Sequence, residues 1–284
     1  MQLKHWGLAC ALAMLPCTVW TAEEAPRYED VFVSAREAWV EHDDRNVDDE
    51  RIDSDVLYVL GNVANTMFHE FGHALVSEFD LPVEGSEEDE VDALANVVMV
   101  SEADNPYLDA MIESVADDWF AQGEYEEESG PSEDGHAVSS GRAYAVVCIL
   151  VGADPEYFDE TADNAGLDDR ERADCAEEYE DAHTRWDEAL APYYLADDEE
   201  PVREIPVHYA EPDADHVAVA EFIHASGLVE DIAAQMAWLV RFPNPIRIDV
   251  ELCGEENAFW DTEERRIILC YEIVEGYRQR AMVM

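Results

Sequence analysis

Between Asp55 and Phe79 the chain reads DVLYVLGNVANTMFHEFGHALVSEF, and this segment constrains the fold more than any other. Leu57, Leu60, Ala64, Met67, Phe71, Leu75 and Phe79 recur at steps of three and four, the period of an amphipathic helix. Asp53 or Ser54 can cap its start, and Leu81-Pro82 stops it, because proline cannot continue a helical ladder. A helix over about 55–79 commits much of the chain to helical packing.

A second helix, about 87–101, is expected after Ser86, with Ser86 as N-cap and Asp89 at its third position. Val91, Leu94, Ala95 and Val98 form its apolar face. Tyr107 to Gln122 also reads as helix, followed by an acidic loop, EYEEESGPSEDG. Helical patterns return at about 137–151, 169–190 and 213–239, with an acidic linker near 196–202. From about 247 to 272 the pattern alternates as strands do, and its centre falls at Asp261-Thr262. A hairpin turning there would set Cys253 across from Cys270, within disulfide reach. The expected fold class is α+β, mostly helical with a small antiparallel β-hairpin or sheet at the C-terminus.

Composition narrows the functions. Asp plus Glu number 69 against 16 Lys plus Arg, and the one lysine is Lys4. Such a surface repels nucleic acid and anionic membranes, which need a basic footprint. Because the acids run along the whole chain, they read as a solvation adaptation to a salty medium; the sharper alternative is an acidic site for cationic partners. Residues 1–22 read as a signal peptide: Lys4 and His5, an apolar run from Leu8 to Val19, then Thr21-Ala22 before Glu23. The rest, 23–284, is expected to form a single domain without a membrane span, in a periplasmic or extracellular protein. Cleavage would leave Cys148, Cys175, Cys253 and Cys270. Two disulfides follow in an exported chain, with neighbours pairing, 148 with 175 and 253 with 270, as the simplest of three pairings.

Within the long helix, His69 and His73 stand four residues apart, so both imidazoles project from one face. That spacing lets two nitrogens bind one Zn²⁺, with Glu70 placed to take a proton from water at the metal. By chance an HExxH is expected roughly 0.04 times in a chain of this composition. Gly72 inside the motif is a poor helix former and points to crowding at that turn. A catalytic zinc needs a third protein ligand. GSEEDEVDALA offers Glu88, which shares a helix face with Asp92. Glu88 is the expected ligand, with Asp92 hydrogen-bonding a ligand imidazole and Glu90 as the alternative. Oxyanion or substrate donors are sought in DGHAVSSGRAY, as His136, Arg142 and Tyr144.

HEFGHALV, DLPVEGSEEDEVDALA, DGHAVSSGRAYAVVCILVGADP, Cys175 with Trp186, and CGEENAFWDTEERRIILCYE together resemble a family of bacterial exported metallopeptidases of gluzincin-like type. The resemblance runs over most of the mature chain and implies a zincin-like fold and a peptide or protein substrate. The Glu88/Asp92 spacing is similar to the ExxxD element of thermolysin-like enzymes. The chain departs from the family at Ala137 and Ser139-Ser140-Gly141, where more polar side chains are usual. Asn257 and Ala258, in NAFW, resemble an edge strand that aligns substrate in other zinc peptidases, though here they follow the zinc helix instead of preceding it. Three functions compete: a zinc peptidase using metal-activated water, a non-catalytic metal-binding protein, and a structural envelope protein.

Overall fold

A computed structural model describes residues 28–83, 85–100, 105–129, 139–196, 201 and 203–284. The expected leader, with Cys10 and Cys17, and most of the acidic linker near 196–202 lie outside them. Among the described residues no helix is long and apolar enough to cross a membrane.

The described residues form ten helices and four strands in order: α1 Tyr28–His42, α2 Asp49–Phe79, α3 Glu87–Val100, α4 Pro106–Ser129, α5 Ser139–Ala153, α6 Asp159–Asn164, α7 Asp169–Leu190, β1 Val207–Tyr209, α8 Val217–Ser226, α9 Leu228–Leu239, β2 Arg247–Glu251, β3 Ala258–Asp261, β4 Arg266–Cys270 and α10 Tyr271–Ala281. The fold is α+β, with helices predominating and a small C-terminal sheet.

The centre of the molecule is α2. Val59, Leu60, Val63, Met67 and Leu75 have no exposed surface, and α1, α3, α4, α9, α10 and β3 all pack on this helix. It starts earlier than the apolar period implies. Asp48 caps it by accepting from the Arg51 N–H at 3.0 Å. The extra turns are tied down by ions: Arg36 binds Asp49 and Asp53, while Arg45 and Arg51 both bind the buried Asp55. At the other end Asp80 turns left-handed, φ 52°, before Leu81-Pro82. Gly61 lets α4 approach, since a Cβ there would sit 2.0 Å from the Met111 carbonyl oxygen.

Three further differences from the sequence pattern have local causes. Helix α4 runs on to Ser129, into the stretch EYEEES expected as loop, because glutamate is a good helix former. The apolar period over 213–239 is two helices, α8 and α9, broken at Gly227 with φ 69°. The stretch 247–272 is not one hairpin. β3 and β4 form a hairpin with Asp261 opposite Arg266, but β2 runs parallel to β4 and β1 parallel to β2, giving a mixed sheet of order β1-β2-β4-β3.

Both expected disulfides are formed, Cys148–Cys175 with Cα atoms 4.8 Å apart and Cys253–Cys270 with 5.5 Å. The second closes by a route other than the one expected. Cys253 lies two residues beyond β2, where Glu251 is opposite Cys270, so the parallel pairing and not a hairpin brings the sulfurs together.

Candidate metal centre

Helix α3 crosses α2 in the opposite sense, and Gly72 permits the contact: a Cβ there would sit 2.7 Å from Val91 Cβ. The crowding expected from that glycine is thus with α3, the acid-rich helix. Moving back along α3 from Asp92 to Glu87 moves forward along α2 from His69 to His73, as the two outer hydrogen bonds record. Asp92 Oδ1 lies 2.7 Å from His69 Nδ1, and Glu87 Oε1 lies 2.7 Å from His73 Nδ1.

Between these bonds Glu88 reaches over both imidazoles. Its Oε2 is 3.3 Å from His69 Nε2 and 3.3 Å from His73 Nε2, and the two nitrogens are 3.2 Å apart. The three atoms form a nearly equilateral triangle and could hold one metal ion. Glu90, the alternative ligand, faces elsewhere. Its carboxylate takes Arg185 Nε at 2.8 Å, and its carbonyl accepts from Trp186 Nε1.

The electrostatics follow from burial among carboxylates. Burial alone would lower the pKa of His69, but Asp92 and Glu88 outweigh it and push it up to about 9. Glu70 is 6% exposed. Burial pushes its carboxyl above the ordinary range, opposed by His69 and His73 and by the backbone N–H of Trp260, which donates to it. In the β3–β4 ladder the Asn257 carbonyl accepts from Cys270 N–H, so by alternation Trp260 turns its N–H away from β4 toward α2. The hairpin therefore does pack beside Glu70.

The other sequence candidates separate. Arg142, on α5, donates to Asp92 Oδ1 at 2.7 Å and stacks over Trp119 with its guanidinium carbon 3.6 Å from the ring centre. It acts on the carboxylate behind His69. Tyr144 faces outward, 38% exposed, near the acids of α7, and is not brought to the triangle. His136 lies outside the described residues. Asn257 precedes β3 and folds its side chain back, Oδ1 accepting from the Ala258 N–H at 2.9 Å.

Two participants escape sequence reasoning. Glu87 was one of five acids in the right stretch, but its pairing with His73 depends on how α3 crosses α2. Trp260 contributes a backbone N–H, which no side-chain pattern encodes; only its position in NAFW pointed there.

No curated protein and no solved structure matched the chain. A family model described as "Putative metallopeptidase" matches residues 28–190 and 209–283, which take in the whole triangle, Glu70 and β3, and the chain belongs to that family.

Proposed function

We propose that this protein is a zinc-dependent peptidase acting outside the cytoplasm, with His69, His73 and Glu88 as metal ligands and Glu70 as general base. The observation that carries the reading is the triangle, with edges of 3.2–3.3 Å. A tetrahedral site with bonds of about 2.0–2.1 Å has ligand–ligand edges of about 3.3–3.4 Å, so the donors are already spaced for zinc. Two imidazoles and one carboxylate are also the donor set of catalytic sites that keep a fourth position open.

Bound there, zinc would polarise a peptide carbonyl and lower the pKa of water toward neutrality. The protein's own groups do the rest. Asp92 and Glu87 accept the Nδ1 protons of His69 and His73, which leaves both Nε2 lone pairs facing the triangle. Arg142 fixes Asp92 in turn. Glu70, made more basic by burial, accepts a proton from water and can return it to the leaving amine, while the Trp260 N–H holds its carboxylate in place. The Ala258 and Trp260 carbonyls share the free edge of β3, and a substrate strand can add there. Two disulfides and the leader-like residues 1–22 support export, and the dispersed acids support a saline habitat.

Metal analysis of the purified protein beside His73→Ala tests the ligands: about one zinc in the former and none in the latter is expected. Glu70→Gln should keep its zinc and lose hydrolysis by at least about a hundredfold. Zinc in both proteins with no cleavage of a broad peptide library by either would leave a metal-binding protein. A wild type that takes up no zinc, and a His69→Ala variant of unchanged stability, would leave a structural one.

A further inference from the structure

The free edge of β3, beside Glu70, is unlike an ordinary sheet edge, which offers both N–H and C=O groups. Phe259 lies opposite Ile268 and Asp261 opposite Arg266, with their backbone groups turned to β4. By alternation Ala258 and Trp260 present theirs to the free side. Both donors on that side are already used. The Ala258 N–H donates to Asn257 Oδ1 at 2.9 Å, and the Trp260 N–H donates to the Glu70 carboxylate. The Ala258 and Trp260 carbonyls accept from no group among the described residues. What remains is a short row of acceptors that ends at the proposed general base.

A peptide added to such an edge can be held only by its own N–H groups, and ladder geometry decides which. Run antiparallel, the peptide residue opposite Trp260 gives its N–H to the Trp260 carbonyl and points its own carbonyl at the Trp260 N–H. Run parallel, the peptide residue between Ala258 and Trp260 gives its N–H to the Ala258 carbonyl and again points its carbonyl at the Trp260 N–H. In both directions one peptide carbonyl is aimed at a donor that Glu70 occupies. That carbonyl has no ladder partner and lies beside Glu70, so it is the one free to turn to the metal triangle. The second N–H taken by the edge belongs, in both directions, to the residue two positions further toward the peptide's C-terminus.

We propose that β3 selects its substrate through two main-chain N–H groups. One comes from the residue that contributes the scissile carbonyl, the other from the residue two positions after it. Proline has no N–H, so it is refused at both positions and accepted at the residue just before the scissile one. Helices and sheets spend their N–H groups internally, so the substrate class is extended segments without secondary structure at the cut. The proposal rests on the peptidase reading and adds this class to it.

Cut sites give the test. Zinc-loaded wild type digests a mixed library of unfolded peptides, and mass spectrometry locates each cut. Proline is expected at least about tenfold below its library frequency at the two named positions, and near that frequency just before the first. One cleaved peptide is then N-methylated at a single residue at a time and titrated against zinc-loaded Glu70→Gln protein, whose Gln side chain keeps an acceptor for the Trp260 N–H. Methylation at either named residue should weaken binding at least about tenfold, and at the residue just before the first by less than about threefold. Cuts with proline at library frequency in either position, or equal binding of all the methylated peptides, would overturn the proposal and leave the peptidase reading intact. A zinc-loaded protein that cleaves nothing in the library would overturn both.

Discussion

Helices α2 and α7 are the molecule's two kinds of long helix. Of the 31 residues of α2, 20 are buried; of the 22 of α7, only Cys175, Ala182, Trp186 and Leu190 are. The inner helix is held by packing along its length and carries the proposed zinc histidines. The outer one is a charged rod fixed at a few points. These are a capping box at Asp168 and Glu171, the Arg172 ion pairs with Asp159 and Asp163 of α6, the disulfide to α5, the Arg185–Glu90 pair and the Trp186 hydrogen bond to α3. The difference teaches where precision comes from. A buried helix holds side chains to the tolerance of its neighbours, whereas an exposed helix in so acidic a chain must be pinned, and its pins tie it to α3, α5 and α6.

The sharpest way to break that contrast is to remove the covalent pin. Cys148→Ser with Cys175→Ser releases a link across 27 residues and should lower stability by roughly 3–4 kcal/mol. Hydrogen exchange should show α7 losing protection first; equal loss in α2 would mean the two helices are one cooperative unit. Next in size is Gly72→Ala, which drives a methyl into Val91. A cost of about 1–3 kcal/mol is expected, together with weaker zinc affinity in a competition titration, since α3 carries Glu88. Removing the cap of the outer helix, Asp168→Ala, should cost about 1 kcal/mol in a urea melt.

The smallest expected effect sharpens the contrast at the corner between α1 and α2, where the inner helix too uses a charge. The Arg45 guanidinium, with the Trp39 indole, overcomes burial and holds the Asp43 carboxyl at about 2, below its usual 3.8. The folded pKa is depressed, so the stabilisation is complete above the unfolded value and disappears as pH falls through about 2. Asp43→Asn should cost about 0.5–1 kcal/mol at neutral pH. Its urea midpoint should converge with the wild type's in acid; a gap independent of pH would assign the loss to packing.

How much of this was legible depends on which forces write themselves into sequence. The extent of α2 toward Phe79 and the start of α3 are side-chain facts, carried by period, cap and proline. The approach of Glu88 to both histidines follows from the i, i+4 relation of Glu88 and Asp92 once the helices touch. Parallel pairing of β2 with β4 was not legible, because alternation fixes which face a residue occupies and not which strand lies beside it. Gly227 sits inside a continuous apolar period, so its left-handed turn left no break in the pattern. Glu87 could not be separated from its four acidic neighbours without the crossing of α3 over α2.

The strand order has a consequence in time. β4 lies between β2 and β3, so β3 has no edge to join until residues 266–270 have left the ribosome. α2 can form as soon as it emerges, but the Trp260 N–H that steadies Glu70 arrives only with that hairpin, almost two hundred residues later. Contacts so distant in sequence form late. The Glu70 carboxylate therefore stays without this backbone partner through most of synthesis, a delay written into topology.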